Sequence, residues 1–266
     1  MIESAKALIA SRRSVRTFSD EELKSDVLAA IAECVAGKTN PFGVEVEFRL
    51  LDAKKHGLSS PVIVGEKYYL AAKAKKGSEI AYGYSFEYAL LYALSLGVGS
   101  VMLGSSLNRA AFEKAMDVKE DEVMFVASPL GYTAQKMSIR EGLMRKGVKA
   151  DERLAFDKLF FENNFASPYS KDDELKSALE AVRLAPSAVN KQPWRAVVDG
   201  DKVHFFEAKT MKSNALGDLQ KVDMGIALCH FDLAMKESGV NGRFEISDPH
   251  LPLASGVEYS MTYTKQ

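Results

Sequence analysis

The sequence predicts an α+β fold built from two tandem copies of one unit, and three observations predict it. Helical patterning and short apolar strand runs alternate along the 266 residues, and after Glu152 the pattern starts again. The tetrapeptide Glu22-Leu23-Lys24-Ser25 recurs as Glu174-Leu175-Lys176-Ser177, a shift of 152 that also lays Asn40-Pro41-Phe42 on Gln192-Pro193-Trp194 without a gap. Further on, a shift of 142 places Gly83 on Gly225 and Gly97-Val98 on Gly239-Val240.

The first copy, residues 1–160, opens with a short helix (Ser4–Ser11) and a basic loop (Arg12–Arg16). A helix over Glu21–Val35 follows, capped by Ser19 or Asp20, whose side-chain oxygens can accept a first-turn N–H. Strands are expected at Val44–Asp52 and near Pro61–Gly65, with a long buried helix over Ser78–Leu96. Gly97-Val98-Gly99 breaks the apolar run Tyr88–Asn108, so that stretch reads as helix, turn and strand rather than a membrane span. A strand at Ser100–Leu103, a helix at Arg109–Met116 and a strand at Glu122–Gly131 complete the unit. The polar stretch Thr133–Glu152 reads as a connecting arm.

In the second copy, residues 161–266, the order is helix Asp173–Leu184, a Pro-rich loop, strands Arg195–Asp199 and Lys202–Glu207, helix Asp218–Glu237 and a closing strand at Val257–Thr264. The segments Lys67–Gly77 and Lys209–Leu216 read as loops that could shape a pocket.

Composition narrows the function. Thirty-five basic residues against 36 acidic ones give a net charge of −1, so no global field draws nucleic acid or an anionic membrane, and any anion site is local. Cys34 and Cys229 read as buried core thiols rather than a disulfide scaffold, which fits a cytoplasmic location. Glu3 and Lys6 interrupt any apolar leader. His56, His204, His230 and His250 lack partners at ligand spacing, so no metal is expected, and His230 on an apolar helix reads as a satisfied core residue. Gly97-Val98-Gly99-Ser100 follows a helix and has Met102 where a dinucleotide fingerprint needs its third glycine. Neither a phosphate-binding P-loop motif nor a nucleophile elbow is present.

The two copies differ in a complementary way. Ser11-Arg12-Arg13-Ser14-Val15-Arg16 faces Asn163-Asn164-Phe165-Ala166-Ser167-Pro168, where every arginine is gone. Conversely Pro186-Ser187-Ala188-Val189-Asn190 faces Cys34-Val35-Ala36-Gly37-Lys38. Each copy keeps what the other lost, as expected if one composite site survives and its symmetry mate does not. The guanidinium forks of Arg12, Arg13 and Arg16 suit a phosphate, although the same run could be a solvated basic turn. Ser187 and Asn190, on a backbone stiffened by Pro186 and Pro193, suit a flat heteroaromatic with a hydrogen-bonding edge, while Trp194 reads as a core plug.

These residues resemble the nitroreductase-like FMN flavoproteins: Arg12-Arg13-Ser14-Val15-Arg16, the loop Ala185-Pro186-Ser187 to Asn190 and on to Gln192-Pro193-Trp194, Gly97-Val98-Gly99-Ser100 with Leu103-Gly104, and Leu130-Gly131-Tyr132. The resemblance implies a three-layer fold in which the second subunit of an intertwined dimer is fused onto the first, a monomer acting as a pseudo-dimer. It implies FMN held by Arg12, Arg13, Ser14 and Arg16, with Arg153 as a late phosphate-binding arginine and Arg145 or Lys149 as further candidates. Pro186, Ser187 and Asn190 would reach the flavin from the other half, and the Leu103-Gly104 backbone would lie beside its reactive nitrogen. The flavin would be the redox centre, so no catalytic side chain is expected, with NAD(P)H and a nitroaromatic or quinone acceptor reacting in turn. A flavin sensor, store or modifying protein is the second reading, and a non-catalytic interaction protein the third.

Overall fold

In the computed structural model, residues 2, 4–37 and 39–266 are described; Met1, Glu3 and Lys38, the last aligned with Asn190, lie outside the described residues. Along the chain run α1 (Ala5–Ser11), α2 (Ser25–Ala36), β1 (Glu47–Asp52), α3 (Ala53–His56), β2 (Tyr68–Lys75), α4 (Glu79–Ser95), β3 (Gly99–Ser100), α5 (Arg109–Met116), β4 (Glu122–Val123), β5 (Ala127–Gly131) and α6 (Ile139–Gly147). Then come β6 (Phe160–Glu162), α7 (Glu174–Arg183), β7 (Trp194–Asp199), β8 (Lys202–Ala208), α8 (Leu219–Glu237), β9 (Gly242–Glu245) and β10 (Val257–Lys265).

Among the described residues two five-stranded sheets form, one ordered β1-β2-β5-β3 with β4 beside β2, the other β6-β7-β8-β10-β9. The path β1-β2-β5-β3 corresponds step for step to β7-β8-β10-β9, every step antiparallel. Register agrees as well: Ser100 faces Leu130 and Leu103 bridges Ala127, while Gly242 faces Lys265 and Glu245 faces Thr262, so Ser100 and Leu103 map onto Gly242 and Glu245 at the shift of 142 and their partners map at a shared shift of 135. β6 straddles the 160/161 boundary and joins the second sheet, parallel to β7.

Between the sheets lie α4 and α8, which pack on each other, α4 also touching β2 and α8 touching β8, a sheet, helix-pair, sheet arrangement of three layers. Helices buried on all sides lose the one-sided apolar stripe of a surface helix. Their approach is set by two glycines. A Cβ on Gly83 would stand 2.0 Å from the Val222 carbonyl oxygen, and one on Gly225 would stand 2.1 Å from that of Ile80. Residues 80 and 222, like 83 and 225, are 142 apart, so the contact is two-fold symmetric in sequence as well as in space. The halves also intertwine: α1 packs on α7 and α8, and Ala5 and Ile9 enter the core built around α8.

Several expectations need correction. α2 starts at Ser25, not Glu21, and its N-cap is Lys24 without a side-chain cap, not Ser19 or Asp20; buried Leu23 anchors an extended lead-in to the first core. Pro61–Gly65 forms only a Val64–Thr17 bridge. The strand is β2, within a segment expected to be a loop; its interior lysine, Lys73, is paired with Glu122 at 3.0 Å and Glu47 at 3.2 Å, which lets a charge sit in a central strand. The expected single strand over 122–131 divides into β4 and β5, and β6 and β9 were not foreseen. The arm contains α6, whose Ser138 hydroxyl accepts the Glu141 N–H at 3.2 Å, a Ser-x-x-Glu start. Cys34 is only partly buried, with its thiol pushed up to about 11 by burial; Cys229 is fully buried. Among the described residues no helix is long and apolar enough to cross a membrane.

Trp194 is fully buried, and its cross-strand partner is Glu207, also buried. Neither Trp194 Nε1 nor Glu207 Oε1 has a hydrogen-bond partner among the described residues. Burial, with the negative charge of Asp218, pushes the Glu207 carboxyl up to about 7.

Two expectations follow from this packing. Gly225→Ala drives a methyl into the Ile80 carbonyl and should cost about 3 kcal/mol or more in chemical denaturation, whereas Gly142→Ala on α6, where a methyl would meet only Met137 Sδ at an ordinary 3.9 Å, should cost nothing. Because the Glu207 carboxyl is raised in the fold, its stabilisation is complete at acid pH and lost as pH rises through about 7. Glu207→Gln should therefore denature like the parent near pH 5 and at a higher temperature than the parent near pH 8.

Candidate functional site

The basic segment is extended and pinned on one edge: Ser14 bridges Ser100, the Val15 N–H donates to the Ser100 carbonyl at 2.9 Å, and Thr17 bridges Val64. Extended backbone alternates its side chains between two faces. Arg12, Ser14 and Arg16 accordingly line one cleft, of about 270 Å³, while Val15 enters the core and Arg13 points outward. Arg13 caps the end of α1, its Nη1 donating to the carbonyls of Ala10 and Arg12 at 3.3 and 3.0 Å.

Across the cleft stand Pro186, Ser187, Ala188 and Val189 from the second half, with Val222, Asp223 and Ile226 of α8 beside them. Met102, Leu103 and Gly104 line it from the first half. Residues from both halves thus close on one space.

Its electrostatics are uneven. Burial lowers the Arg12 pKa; Glu87, 3.8 Å from Arg12 Nε, opposes that, and the charges of Arg13 and Arg145 add to it. Arg16 is lowered by burial first, with Glu141 opposing and Arg145 and Arg12 adding. The buried Nε atoms of Arg12, Arg16 and Arg153 have no hydrogen-bond partner among the described residues. Guanidinium groups that are desolvated, close together and unsatisfied favour an anion among them.

Glu87 and His230, neither foreseen as site residues, stand behind Arg12. His230 is a satisfied core residue as expected: Nδ1 reaches the Ala181 carbonyl at 2.9 Å and Nε2 reaches Glu87 Oε1 at 2.8 Å. A carbonyl only accepts, so Nδ1 carries a proton, and the Nε2–Oε1 contact needs one more, on either atom. Either way the Arg12–Glu87–His230 set carries one net positive charge. The available signal was Glu87 itself, the one charge within the apolar run Tyr82–Ser95.

The Pro-rich loop divides its work. Pro186 to Val189 face the cleft, while Asn190 and Gln192 turn away from it and grip the connecting arm. Asn190 Nδ2 donates to the carbonyls of Lys149 and Glu152 at 2.7 and 3.0 Å, and Gln192 Oε1 accepts the Leu154 N–H at 2.8 Å. Val189, Asn190 and Gln192 all have positive φ (46°, 56° and 50°), a costly backbone that these bonds and the Gln192 N–H to Ser187 Oγ contact at 2.9 Å hold in place. Arg153 meets the same arm rather than the cleft wall, donating to the carbonyls of Ala150, Glu152 and Leu184 at 2.9, 2.9 and 3.3 Å. Arg145 pairs with Asp151, and exposed Lys149 with Glu152. The Leu103 N–H is spent on the Ala127 carbonyl at 2.8 Å, so of that pair the Gly104 N–H is the one left to donate to a cleft ligand.

The mirror position is built differently. The shift of 142 puts Phe244 where the cleft has Met102 and Tyr84 where it has Ile226. Phe42 packs against both, at centroid distances of 5.6 Å to Tyr84 and 5.5 Å to Phe244, so three rings fill that side.

A family model described as "Putative TM nitroreductase" matches residues 5–235. Among solved structures, a "putative nitroreductase" from Thermotoga maritima superposes with a TM-score of 0.63 at 18% identity, covering 98% of this chain and 94% of that chain. A nitroreductase from Bacteroides fragilis, solved with bound FMN, gives a TM-score of 0.41 at 17% identity, covering 52% of this chain and 92% of its own. An FMN-dependent nitroreductase from Clostridium difficile gives 0.41 at 16%, covering 49% and 88%. No match is found among curated proteins. With the family match running through both halves and the Thermotoga structure sharing the fold over nearly the whole length, the chain belongs to the nitroreductase family.

Proposed function

We propose that this chain is an FMN-dependent oxidoreductase with its flavin in the cleft between the halves, oxidising NAD(P)H and reducing a nitroaromatic, a quinone or a similar acceptor. The observation that carries the reading is the pair of buried, unsatisfied guanidinium nitrogens on Arg12 and Arg16, aligned on one extended edge of a cleft whose other walls are mainly apolar. An anionic tail and a flat ring are the two parts of a ligand that such a cleft satisfies.

Arg12 and Arg16 would hold the charged parts of FMN, and Ser14 would add a hydroxyl between them. Pro186 to Val189 would meet the ring from the second half, with Met102, Val222 and Ile226 as apolar walls. When bound, FMN accepts a hydride from a reduced nicotinamide and passes the electrons to an acceptor. The protein's part is to hold the ring, exclude water and keep fixed positive charge beside it, where low dielectric strengthens the interaction. Arg153, Asn190 and Gln192 act at one remove by locking the arm over residues 149–154 to the loop. We further propose that residues 1–160 and 161–266 are the two nitroreductase-like halves, and that the chain acts in the cytoplasm as a pseudo-dimer.

Titration of the purified chain with FMN should quench flavin fluorescence, and the holoprotein should oxidise NADH or NADPH with menadione or nitrofurazone as acceptor. Arg16→Ala should weaken FMN about 10- to 100-fold, as expected for loss of a charge-assisted hydrogen bond, and Asn190→Ala should weaken it less. Full flavin retention by Arg16→Ala would remove that residue from the site. Tight flavin binding without turnover would favour a sensor or store.

A further inference from the structure

The cleft holds one acid that the reading above leaves unused. Asp223 projects from α8 into the cleft wall between Val222 and Ile226, and its residue is 5% exposed. Both of its carboxyl oxygens accept a single N–H, that of Ala188, at 3.1 Å each. An ionised carboxylate has about four lone-pair sites to satisfy, and one shared donor leaves most of them empty. No cation pairs with it among the described residues; its charged neighbours are Glu207 on β8 and Asp218 at the start of α8, and across the cleft stand Arg12, Arg16 and Glu87. A neutral carboxyl fits better. Its carbonyl oxygen takes the Ala188 N–H, and its O–H remains unspent in the cleft.

The helix crossing does not require an acid there. The position equivalent to Asp223 in α4, 142 residues earlier, is Ala81. The acid therefore belongs to the side of the pseudo-dimer that kept its cleft.

We propose that Asp223 is a ligand-binding residue of the cleft, a neutral carboxylic acid whose O–H donates a hydrogen bond to the electron-rich edge of a bound flavin ring. This rests on the FMN reading of the cleft. Burial, the largest cause, and the charges of Glu207 and Asp218 raise its pKa well above the ordinary carboxyl range, with the Ala188 N–H opposing. The arginines then hold one end of the ligand as permanent cations, while the acid marks the other wall as a donor without adding negative charge beside a ring that is to be reduced.

The test is infrared difference spectroscopy on the chain labelled with carboxyl-13C aspartate, at pH 7, with and without riboflavin, which has the ring of FMN but no phosphate. A protonated-carboxyl band is expected in the ligand-free chain, lost in Asp223→Asn, whose side-chain carbonyl can still accept the Ala188 N–H. Riboflavin should shift that band to lower frequency as the O–H gains an acceptor. Asp223→Glu serves the same assignment should the Asn variant not fold, because it moves the acid out of the aspartate label. Bound riboflavin with no such band, or with a band that does not move, overturns the role of Asp223 and leaves the FMN reading standing. Failure of both riboflavin and FMN to bind overturns the FMN reading and this inference with it.

Discussion

Everything in this molecule is arranged around the crossing of α4 and α8, where Gly83 lies on the Val222 carbonyl and Gly225 lies on that of Ile80. Nothing larger than hydrogen fits at either place, so the two helices meet backbone to backbone. That contact fixes the separation of the two sheets and the position of every residue projecting from the helix pair. Glu87 and Leu90 of α4 face the same space as Val222, Asp223 and Ile226 of α8 because the crossing sets their helices at that distance. The symmetry of the contact also explains how a tandem chain can look like a dimer: the residues at the axis repeat at a shift of 142, and the surrounding sheets repeat the same strand order.

Symmetry at the axis does not extend to the two positions it generates. On one side the equivalent positions are Met102 and Ile226, which line a cleft; on the other they are Phe244 and Tyr84, and rings fill the space. The arginine segment survives on the open side and is replaced by Asn164, Phe165 and Ala166 in the other copy. A fused pair is free to diverge in this way, because each copy carries its own residues at equivalent positions. A homodimer of identical subunits is not, since every change appears twice. The positive charge of Arg12 and Arg16, backed by the net-neutral Glu87–His230 pair, is thus gathered at one wall, facing the neutral acid proposed at Asp223.

Much of this was legible in the sequence where a residue type is needed at a fixed spacing. The repeat that pairs Gly83 with Gly225, the basic segment that carries Arg12, Ser14 and Arg16, the burial of Trp194 and the helix-to-strand break after Leu96 were each readable from residue type and spacing. What escaped depended on partners distant in sequence. Lys73 lies inside a strand because Glu47 and Glu122 reach it, and no local pattern shows that. Asn190 carries the signature of a ligand-binding amide, yet the positive φ of Val189 and Asn190 turns its side chain onto the arm. Arg13 was grouped with its neighbours although an extended backbone sends it to the opposite face. Glu87 and Asp223 were passed over as parts of buried helices, although a buried acid in a largely apolar helix has to be matched by something.

One count tests the account of a single cleft between unequal halves more directly than any variant: flavin per polypeptide, read by native mass spectrometry of the FMN-saturated 29.2 kDa chain. The account predicts one FMN for each chain. Two would contradict the closed mirror position, and none would contradict the assignment of the arginine-lined cleft.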